Sequence, residues 1–436
     1  MLLALFLACT GSDSPRPDVD QPVDQPDDSG GEGGEGGEGG EGGEGGEEET
    51  GGSWTLAVFM NGDNDLEVYV THDLNELEQV GSSEGVNIVV QADRAEGYDE
   101  TDGDWTEARR YLIEGDDDIE TVSTPVLEEL GEVDMGDPAT LSEFILWADE
   151  QYPADHLAVV LWDHGDGWAL TGDAPADDAS YAVSWDEDTD NDISVAEGEL
   201  ASALSGVVSR RGKIDIVAFD ACNMASFEVA HSLREQAMYL VASEATVGDE
   251  GLQYGPIQEL MRDSQPTPRA LAQTMAQTAV ETGGEWTYSA TDLSQMDALA
   301  TELDALSEAI LADPDTLIPW FVHARADARA ADGVWHDWYV DLGDFAAVAA
   351  TSEDPTVAQI GASLQQSVGT TMAAVYGSGP MDWTTGLTIY ASTSELDLDY
   401  LDLYREGAGA TWSQATRWDD LLQTISDARG STTTAR

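Results

Sequence analysis

Two side chains able to carry out nucleophilic chemistry each follow an apolar run of the sequence. Cys222 closes the segment Ile214–Cys222, and His164 follows the run Leu157–Trp162. Such runs predict buried parallel strands, and α/β proteins build their sites at the carboxyl ends of those strands. An imidazole near a thiol can take its proton, and the thiolate then attacks carbonyl carbon. The residues alone leave a second interpretation open, in which Cys222 is a small buried apolar residue.

Further apolar runs alternate with segments of helical periodicity. The predicted strands are Trp54–Asn61, Val86–Asp93, Arg109–Ile113, Leu157–Trp162, Ile214–Phe219, Met238–Ser243 and Leu387–Tyr390. The predicted helices are Leu66–Val80, Thr140–Gln151, Ser194–Val207 and Met224–Gln236. This alternation is typical of an α/β protein whose mostly parallel sheet is flanked by helices. The later part, from about Pro266 to Met372, is rich in helical patterns, and we expect it to pack on the sheet before a late strand returns to it.

Several segments together resemble the clostripain family of cysteine endopeptidases, which has a caspase-like fold. They are Trp54–Leu66, Val89–Arg94, Tyr152–His156, His164–Gly165, Phe219–Cys222, Val241–Glu244, Gly386–Tyr390 and the region of Trp412. The resemblance implies a caspase-like α/β/α sandwich with a mostly parallel central sheet and a helix-rich C-terminal accessory region. One departure is Asn223, which follows the cysteine where the family usually has an apolar residue.

The resemblance also implies a mechanism. His164 and Cys222 are the expected catalytic dyad, in which the thiolate forms a thioester and the imidazole serves first as base and then as acid. The backbone N–H groups of Gly165 and Cys222 are the expected oxyanion donors. The sequence offers no evident third catalytic group, and this chemistry requires no cofactor.

The family resemblance implies cleavage after arginine or lysine. Asp220, two residues before the cysteine, is the expected acid of the substrate pocket, because a carboxylate pairs well with a guanidinium. Asp249 and Glu250, in the loop after a predicted strand, are further candidates. In a chain this acidic, however, most carboxylates are simply solvated.

A possible calcium site lies between the two catalytic candidates. The segment Asp186–Glu197 matches the twelve-position EF-hand loop, with oxygen ligands of the kind that calcium prefers. The expected ligands are Asp186, Asp188, Asp190, Asp192 and Glu197. Asn191 stands at the usual glycine position, and the segment before the loop is strand-like, so a chance match is the alternative. Calcium dependence in the clostripain group favours the site without identifying its ligands.

Composition excludes one class of partner. The chain of 436 residues has a formal net charge of −72. A field of this sign repels nucleic acid and attracts cationic peptides. Adaptation to high salt is an equally good explanation of the acidity.

The amino-terminal segment resembles a bacterial lipoprotein signal, in which Cys9 would carry the lipid. We therefore predict a signal-like segment over 1–9 and a disordered acidic linker rich in glycine and glutamate over 10–53. We then expect a catalytic core over 54–265. After it we expect an accessory region with a late strand over 266–426 and a disordered tail over 427–436. The expected location is the bacterial cell envelope, with a lipid-anchored monomer on the periplasmic or outer surface.

Three functions fit these observations. The first is a tethered cysteine endopeptidase acting on protein or peptide substrates with basic residues. The second is a catalytically inactive surface lipoprotein of the same fold that binds cationic peptides or calcium. The third is a transpeptidase, which would use the same thioester with an amine acceptor. Retention of both His164 and Cys222 favours the endopeptidase.

Overall fold

Six of the seven predicted strands lie in one large sheet. The computed structural model describes residues 51–168, 183–330, 338–393 and 401–433. Its strands are β1 Trp54–Gly62, β2 Val86–Arg94, β3 Ala108–Leu112, β4 Glu128–Gly131, β5 His156–Trp162, β6 Ile214–Asp220, β7 Ala237–Ala242, β8 Thr287–Asp292, β9 Tyr339–Asp341, β10 Met372–Gly377 and β11 Thr388–Tyr390. Nine of these strands lie in the order β10-β8-β7-β6-β5-β1-β2-β3-β4.

The direction of the strands changes from the centre of the sheet to its edges. Strands β2, β1, β5, β6 and β7 are parallel to their neighbours in this group. Antiparallel pairs extend the sheet through β3 and β4 on one side and through β8 and β10 on the other. The carboxyl ends of five adjoining strands therefore meet at one edge, where a site can be built.

Helices cover both faces of this sheet. Those of the described residues are α1 Glu67–Glu78, α2 Pro138–Gln151, α3 Glu199–Arg211, α4 Phe227–Leu233, α5 Tyr254–Ser264, α6 Pro268–Glu281, α7 Met296–Ala312, α8 Pro314–Asp327, α9 Leu342–Ala349, α10 Pro355–Thr371, α11 Leu401–Glu406, α12 Thr411–Ala415 and α13 Trp418–Thr433. Several begin where the sequence supplies a cap. Asp137 caps α2 by accepting a hydrogen bond from the Ala139 N–H, and Pro138 lies in the first turn. Thr267 caps α6 by accepting from the Ala270 N–H, and Pro268 lies in that first turn.

The alternation of side chains along the central strands divides the apolar core into two layers. Phe59 and Leu161 belong to the layer under α2, α3 and most of the later helices. Their neighbours Val58 and Val160 belong to the layer under α1, α5 and α6. Because both faces are buried, the strands are apolar throughout, which is why they were recognisable in the sequence. The predicted α/β/α sandwich with a mostly parallel sheet is confirmed.

The C-terminal half differs from the expectation of an accessory region. Strands β8 and β10 extend the main sheet, and helices α7 to α10 pack on the same apolar layer as α2 and α3. The late strand β11 does not join that sheet but pairs with β9 in a separate two-stranded sheet. Helix α13 continues to Thr433, beyond residue 426, where the folded chain was expected to end.

Candidate active site

The register of two neighbouring strands brings the predicted dyad to one place. In the parallel pair β5–β6, Trp162 lies opposite Asp220. His164 and Cys222 each come two residues beyond these partners. The segments that carry them therefore leave the sheet side by side. The structure thus places both predicted catalytic residues at the carboxyl edge of adjoining central strands.

The segments that carry the two residues also touch each other beyond the sheet. A side chain at Gly165 would come within 2.8 Å of the Cys222 carbonyl oxygen and 3.0 Å of the Ala221 Cβ. Distances this short leave no space for even a methyl group. Glycine at this position therefore allows the His164 loop to pack directly against the Cys222 loop.

A carboxylate that the sequence analysis did not assign holds the histidine. The Nε2 atom of His164 lies 2.8 Å from an Asp65 carboxylate oxygen. Asp65 belongs to the turn after β1, inside the segment Trp54–Leu66 that resembled the clostripain family. The sequence analysis found no third group because this turn is about a hundred residues from the histidine and becomes its neighbour only when β1 pairs with β5.

This contact changes the proton affinity of the imidazole. Burial acts to lower the pKa of His164, but the Asp65 hydrogen bond and the charges of Asp163 and Asp65 oppose it, and the pKa lies above its ordinary value. The pKa of Asp65 lies below its ordinary value; burial acts to raise it, and the interaction with His164 outweighs burial. The two side chains therefore favour an imidazolium–carboxylate pair.

The turn that presents Asp65 is itself fixed by two asparagines. Asn61 and Asn64 donate to the Asp163 carboxylate at 3.2 and 2.8 Å, and both donate to the Trp185 carbonyl at 2.9 and 2.8 Å. All three polar side chains are buried. Asp65 is consequently held by a hydrogen-bonded network that also includes the residue before His164.

The sulfur of Cys222 is buried beside the loop after β7. The Val247 N–H lies 3.1 Å from Sγ and points to it as a donor. Such a donor stabilises negative charge on sulfur. The nucleophile considered below is Cys222 in its reduced form.

The departure at Asn223 has a structural explanation. Its φ angle is +61°, in the left-handed region that asparagine adopts more readily than most residues. Its N–H donates to the Ala245 carbonyl at 3.0 Å, and its side chain hydrogen-bonds Asp166. The polar residue therefore forms the bend after Cys222 and is compatible with the arrangement of the site.

A pocket lined by acidic and aromatic side chains adjoins Cys222. Asp220 lies in its wall and accepts hydrogen bonds from the Leu252 N–H at 3.0 Å and the Tyr254 hydroxyl at 2.9 Å. Burial and then the charge of Asp73 raise the pKa of Asp220 well above its ordinary value. A positively charged side chain entering this pocket would favour the ionised form of Asp220.

The other predicted pocket residues differ in position. Asp249 lines the pocket. Glu250 is not among the described residues that line it. Asp73, from helix α1, was not predicted and does line it. Gly251 follows with a φ angle of +46°, and a Cβ there would collide with the Asp220 carboxylate at 2.3 Å. Glycine at this position thus allows the backbone to pass close to the Asp220 carboxylate.

The predicted EF-hand ligands do not come together. Asp186 is buried and accepts hydrogen bonds from the Met135 N–H at 2.8 Å and the Thr189 N–H at 2.9 Å. Among the described residues, the carboxylates that converge closely enough to hold one ion are Asp63, Glu132 and Asp186. Of the ligands expected over Asp186–Glu197, this converging group includes Asp186. It does not include the other expected ligands, which are Asp188, Asp190, Asp192 and Glu197.

Comparison with known proteins identifies the family. The sequence model of the clostripain family matches residues 58–424. The chain belongs to the clostripain family. Clostripain from Hathewaya histolytica is 28% identical over 221 residues, which are 47% of this chain and 41% of clostripain. The chain thus matches less than half the length of this curated relative. The assignment to a family of cysteine peptidases, made from sequence, is confirmed.

Two solved structures share the fold. A secreted C11 cysteine protease from Bacteroides thetaiotaomicron, in complex with an irreversible peptide inhibitor, is 21% identical, with a TM-score of 0.63 over 84% of this chain and 99% of that one. An inactive zymogen C11 protease from Parabacteroides distasonis is 22% identical, with a TM-score of 0.61 over 82% of this chain and 99% of the other. In the described residues, no helix has the length and apolar character that crossing a membrane requires.

Replacing Asp65 by asparagine should lower the pKa of His164, because the uncharged amide removes both a charge and its hydrogen bond to the imidazolium. NMR titration of histidine-labelled protein measures this shift, and His156, at the opposite end of β5, is the internal control. A raised folded-state pKa contributes stability below the ordinary value of 6.5, and the contribution is lost as pH rises through the folded pKa. The Asp65→Asn protein should therefore lose more stability at pH 5 than at pH 9. An unchanged His164 titration would contradict the assigned contact.

Proposed function

We propose that the chain is a cysteine endopeptidase that cleaves peptide bonds after arginine or lysine. Cys222 is the nucleophile and His164 the acid–base group. The observation that carries the proposal is the position of these two side chains at adjoining strand ends, with the Asp220 pocket beside the sulfur. Membership of the clostripain family supports the same chemistry.

The proposed reaction has two stages. The Cys222 thiolate attacks the scissile carbonyl carbon, and the C=O electron pair moves to oxygen. When the tetrahedral intermediate collapses, the C–N bond breaks, His164 gives its proton to the leaving amine and a thioester remains. His164 then removes a proton from water, whose oxygen attacks the thioester and releases the carboxylic acid and the thiolate.

Asp65 is a positioning residue in this scheme. Its hydrogen bond to Nε2 fixes the orientation of the His164 ring and stabilises the imidazolium that protonates the leaving amine. The Val247 N–H assists the other partner, because it directs positive polarity at the sulfur. We thus extend the expected dyad to a Cys222–His164–Asp65 arrangement.

The proposed oxyanion donors are the backbone N–H groups of Gly165 and Cys222. Close packing of these two residues supports the proposal, since it brings both main chains next to the nucleophile. Donors held rigidly around the developing negative charge stabilise the tetrahedral intermediate.

Preference for basic residues follows from the chemistry of the pocket. Asp220, Asp249 and Asp73 contribute carboxylates, while Trp162 and Tyr69 contribute aromatic surface. An extended arginine or lysine stem fits the apolar part, and its charged end pairs with a carboxylate. Asp220 is the principal partner in the proposal, because it is buried and fixed by two hydrogen bonds.

We also propose that Cys9 carries a lipid that tethers the protein to the cell envelope, with 10–53 as spacer. These residues lie outside the described part of the chain, and the proposal is supported only by the signal-like sequence. The mass of the N-terminal peptide from the purified protein distinguishes a lipid-modified Cys9 from an unmodified one.

The first test is hydrolysis of fluorogenic peptides that end in arginine, lysine, aspartate or leucine, in buffer containing a reductant. We expect cleavage after arginine and lysine, and loss of detectable activity in both Cys222→Ala and His164→Ala proteins. Circular dichroism shows whether each variant is folded. Activity that survives in a folded Cys222→Ala protein would exclude the proposed nucleophile.

The Asp220→Asn change tests the specificity. Loss of a buried charged partner costs about 2–5 kcal/mol, which corresponds to a fall of roughly 30-fold to several thousand-fold in kcat/KM for arginine substrates. Asp117→Asn, at an exposed loop position, is the matched control and should change little. Equal effects of the two substitutions would show that net charge, and not the pocket, attracts the substrate.

A further inference from the structure

The loops that carry the catalytic pair touch each other at more than one place beyond the sheet. We call residues 163–168 the His164 loop and residues 221–226 the Cys222 loop. Gly165 packs on the second loop, as described above, and a Cβ at Gly167 would lie 3.4 Å from the Asn223 carbonyl oxygen. The two loops therefore run side by side over several residues.

A hydrogen bond between side chains joins the two loops. The Asn223 amide bonds the Asp166 carboxyl, and the two residues are buried, with 5% and 4% of their surface exposed. Asp166 comes two residues after His164, and Asn223 directly follows Cys222. The bond thus lies within two residues of each member of the catalytic pair.

Each partner is also fixed to its own surroundings by the main chain. The Asn223 N–H donates to the Ala245 carbonyl, in the loop after β7, at 3.0 Å. The Asp166 carbonyl accepts from the Tyr339 hydroxyl at 3.4 Å, and Tyr339 belongs to the separate sheet of β9 and β11. The bond between Asp166 and Asn223 therefore connects two segments that are anchored on opposite sides of the site.

Burial determines the form in which Asp166 makes this bond. It raises the pKa of Asp166 well above its ordinary value, although the bond to Asn223 acts in the opposite direction. A neutral carboxyl has an O–H donor and a C=O acceptor, which match the oxygen and the N–H groups of an amide. An asparagine side chain resembles this neutral form in size and in hydrogen-bonding capacity.

We propose that Asp166 and Asn223 are positioning residues, whose side-chain hydrogen bond holds His164 and Cys222 next to each other. Neither residue is among the described residues that line the Asp220 pocket, so they act through the catalytic pair and not on the substrate. The inference rests on the proposed function of that pair. It also gives the unusual residue after the nucleophile a specific task.

Loss of the bond should affect the chemical step more than substrate binding. An imidazolium stabilises a thiolate only when the two groups are close, and a displacement of about 1 Å can slow an enzyme roughly a hundredfold. The Asp220 pocket is held by its own hydrogen bonds from Leu252 and Tyr254. We therefore expect kcat to fall while KM stays close to its wild-type value.

Three single substitutions test the proposal by hydrolysis of an arginine peptide in buffer containing a reductant. Asp166→Ala and Asn223→Gly each remove one partner, and both should lower kcat roughly ten- to hundredfold. Glycine is chosen at position 223 because it accepts the φ angle of +61° found there. Asp166→Asn retains a partner for the Asn223 amide and should keep most of the wild-type kcat.

The double variant, Asp166→Ala with Asn223→Gly, shows whether the two side chains act together. Once one partner is gone the bond is already broken, so the double variant should be no slower than the slower single variant. Two losses of kcat that multiply would show that the residues act independently, and this result would overturn the proposal.

Alkylation of Cys222 tests the same contact without any substrate. Iodoacetamide reacts with the thiolate, so the dependence of its rate on pH gives the pKa of the thiol; mass spectrometry of the peptide that contains Cys222 separates its signal from that of Cys9. In Asp166→Ala and Asn223→Gly the thiol pKa should rise by about one unit, which slows alkylation about tenfold at pH values below that pKa. Asp166→Asn should react like wild type.

Ile310→Val, a change in the buried core on helix α7, controls for a general loss of stability. It should lower Tm slightly and leave the thiol pKa unchanged. A folded Asp166→Ala protein with the wild-type thiol pKa would overturn the proposal, as would a thiol pKa shift of equal size in Ile310→Val. If Asp166→Ala fails to fold, Asn223→Gly provides the same two outcomes.

The two measurements separate this inference from the proposed function. Shifted alkylation in the two variants, together with no hydrolysis of any substrate by wild type, would remove the peptidase proposal and leave the link between the loops standing. Arginine-specific hydrolysis by wild type, with kcat and thiol pKa unchanged in both variants, would overturn only the positioning role of Asp166 and Asn223.

Discussion

The parallel pairing of β5 and β6 is the constraint on which the candidate site depends. Both strands are apolar along their whole length, and their register places Trp162 opposite Asp220. Equal two-residue extensions then bring His164 and Cys222 to neighbouring positions. A slip of one residue would turn every side chain to the other face of the sheet and exchange the residues that pack in the two core layers. Packing of these two layers therefore fixes the relative positions of His164 and Cys222.

Acidic residues shape the site in two distinct ways. Where a carboxylate meets a donor with positive charge, as Asp65 meets His164, their interaction outweighs the cost of burial. Where carboxylates are buried with only neutral donors, as Asp220 is, their charged form is disfavoured. If a cationic side chain binds in the pocket, as we propose, its charge would favour the ionised form of Asp220. The high net negative charge of the chain acts only at longer range and is screened by salt.

The sequence predicted most of the fold and the centre of the site for a clear physical reason. Strands buried on both faces are continuous apolar runs, and residues at their ends stand out by contrast. Strand β8 was missed because Thr287, Ser289 and Thr291 make it look polar, although all three are buried. Ser289 finds an acceptor in the Gly386 carbonyl at 2.6 Å, a contact that sequence patterns do not reveal. Strand β11 was predicted, but its pairing with β9 depends on tertiary contacts that the sequence pattern does not reveal.

Groups that act across long sequence distances were the hardest to predict. The EF-hand pattern selected acids that are near one another along the chain, whereas the fold brings together Asp63, Glu132 and Asp186 from three separate segments. Asp63 and Asp65 illustrate the difference, since both lie in a single turn after β1 and their side chains serve different neighbours. Asp65 contacts the histidine that follows β5, whereas Asp63 lies close to Glu132 and Asp186. The central position of β1, between β5 and β2, allows one short turn to contact residues on both sides.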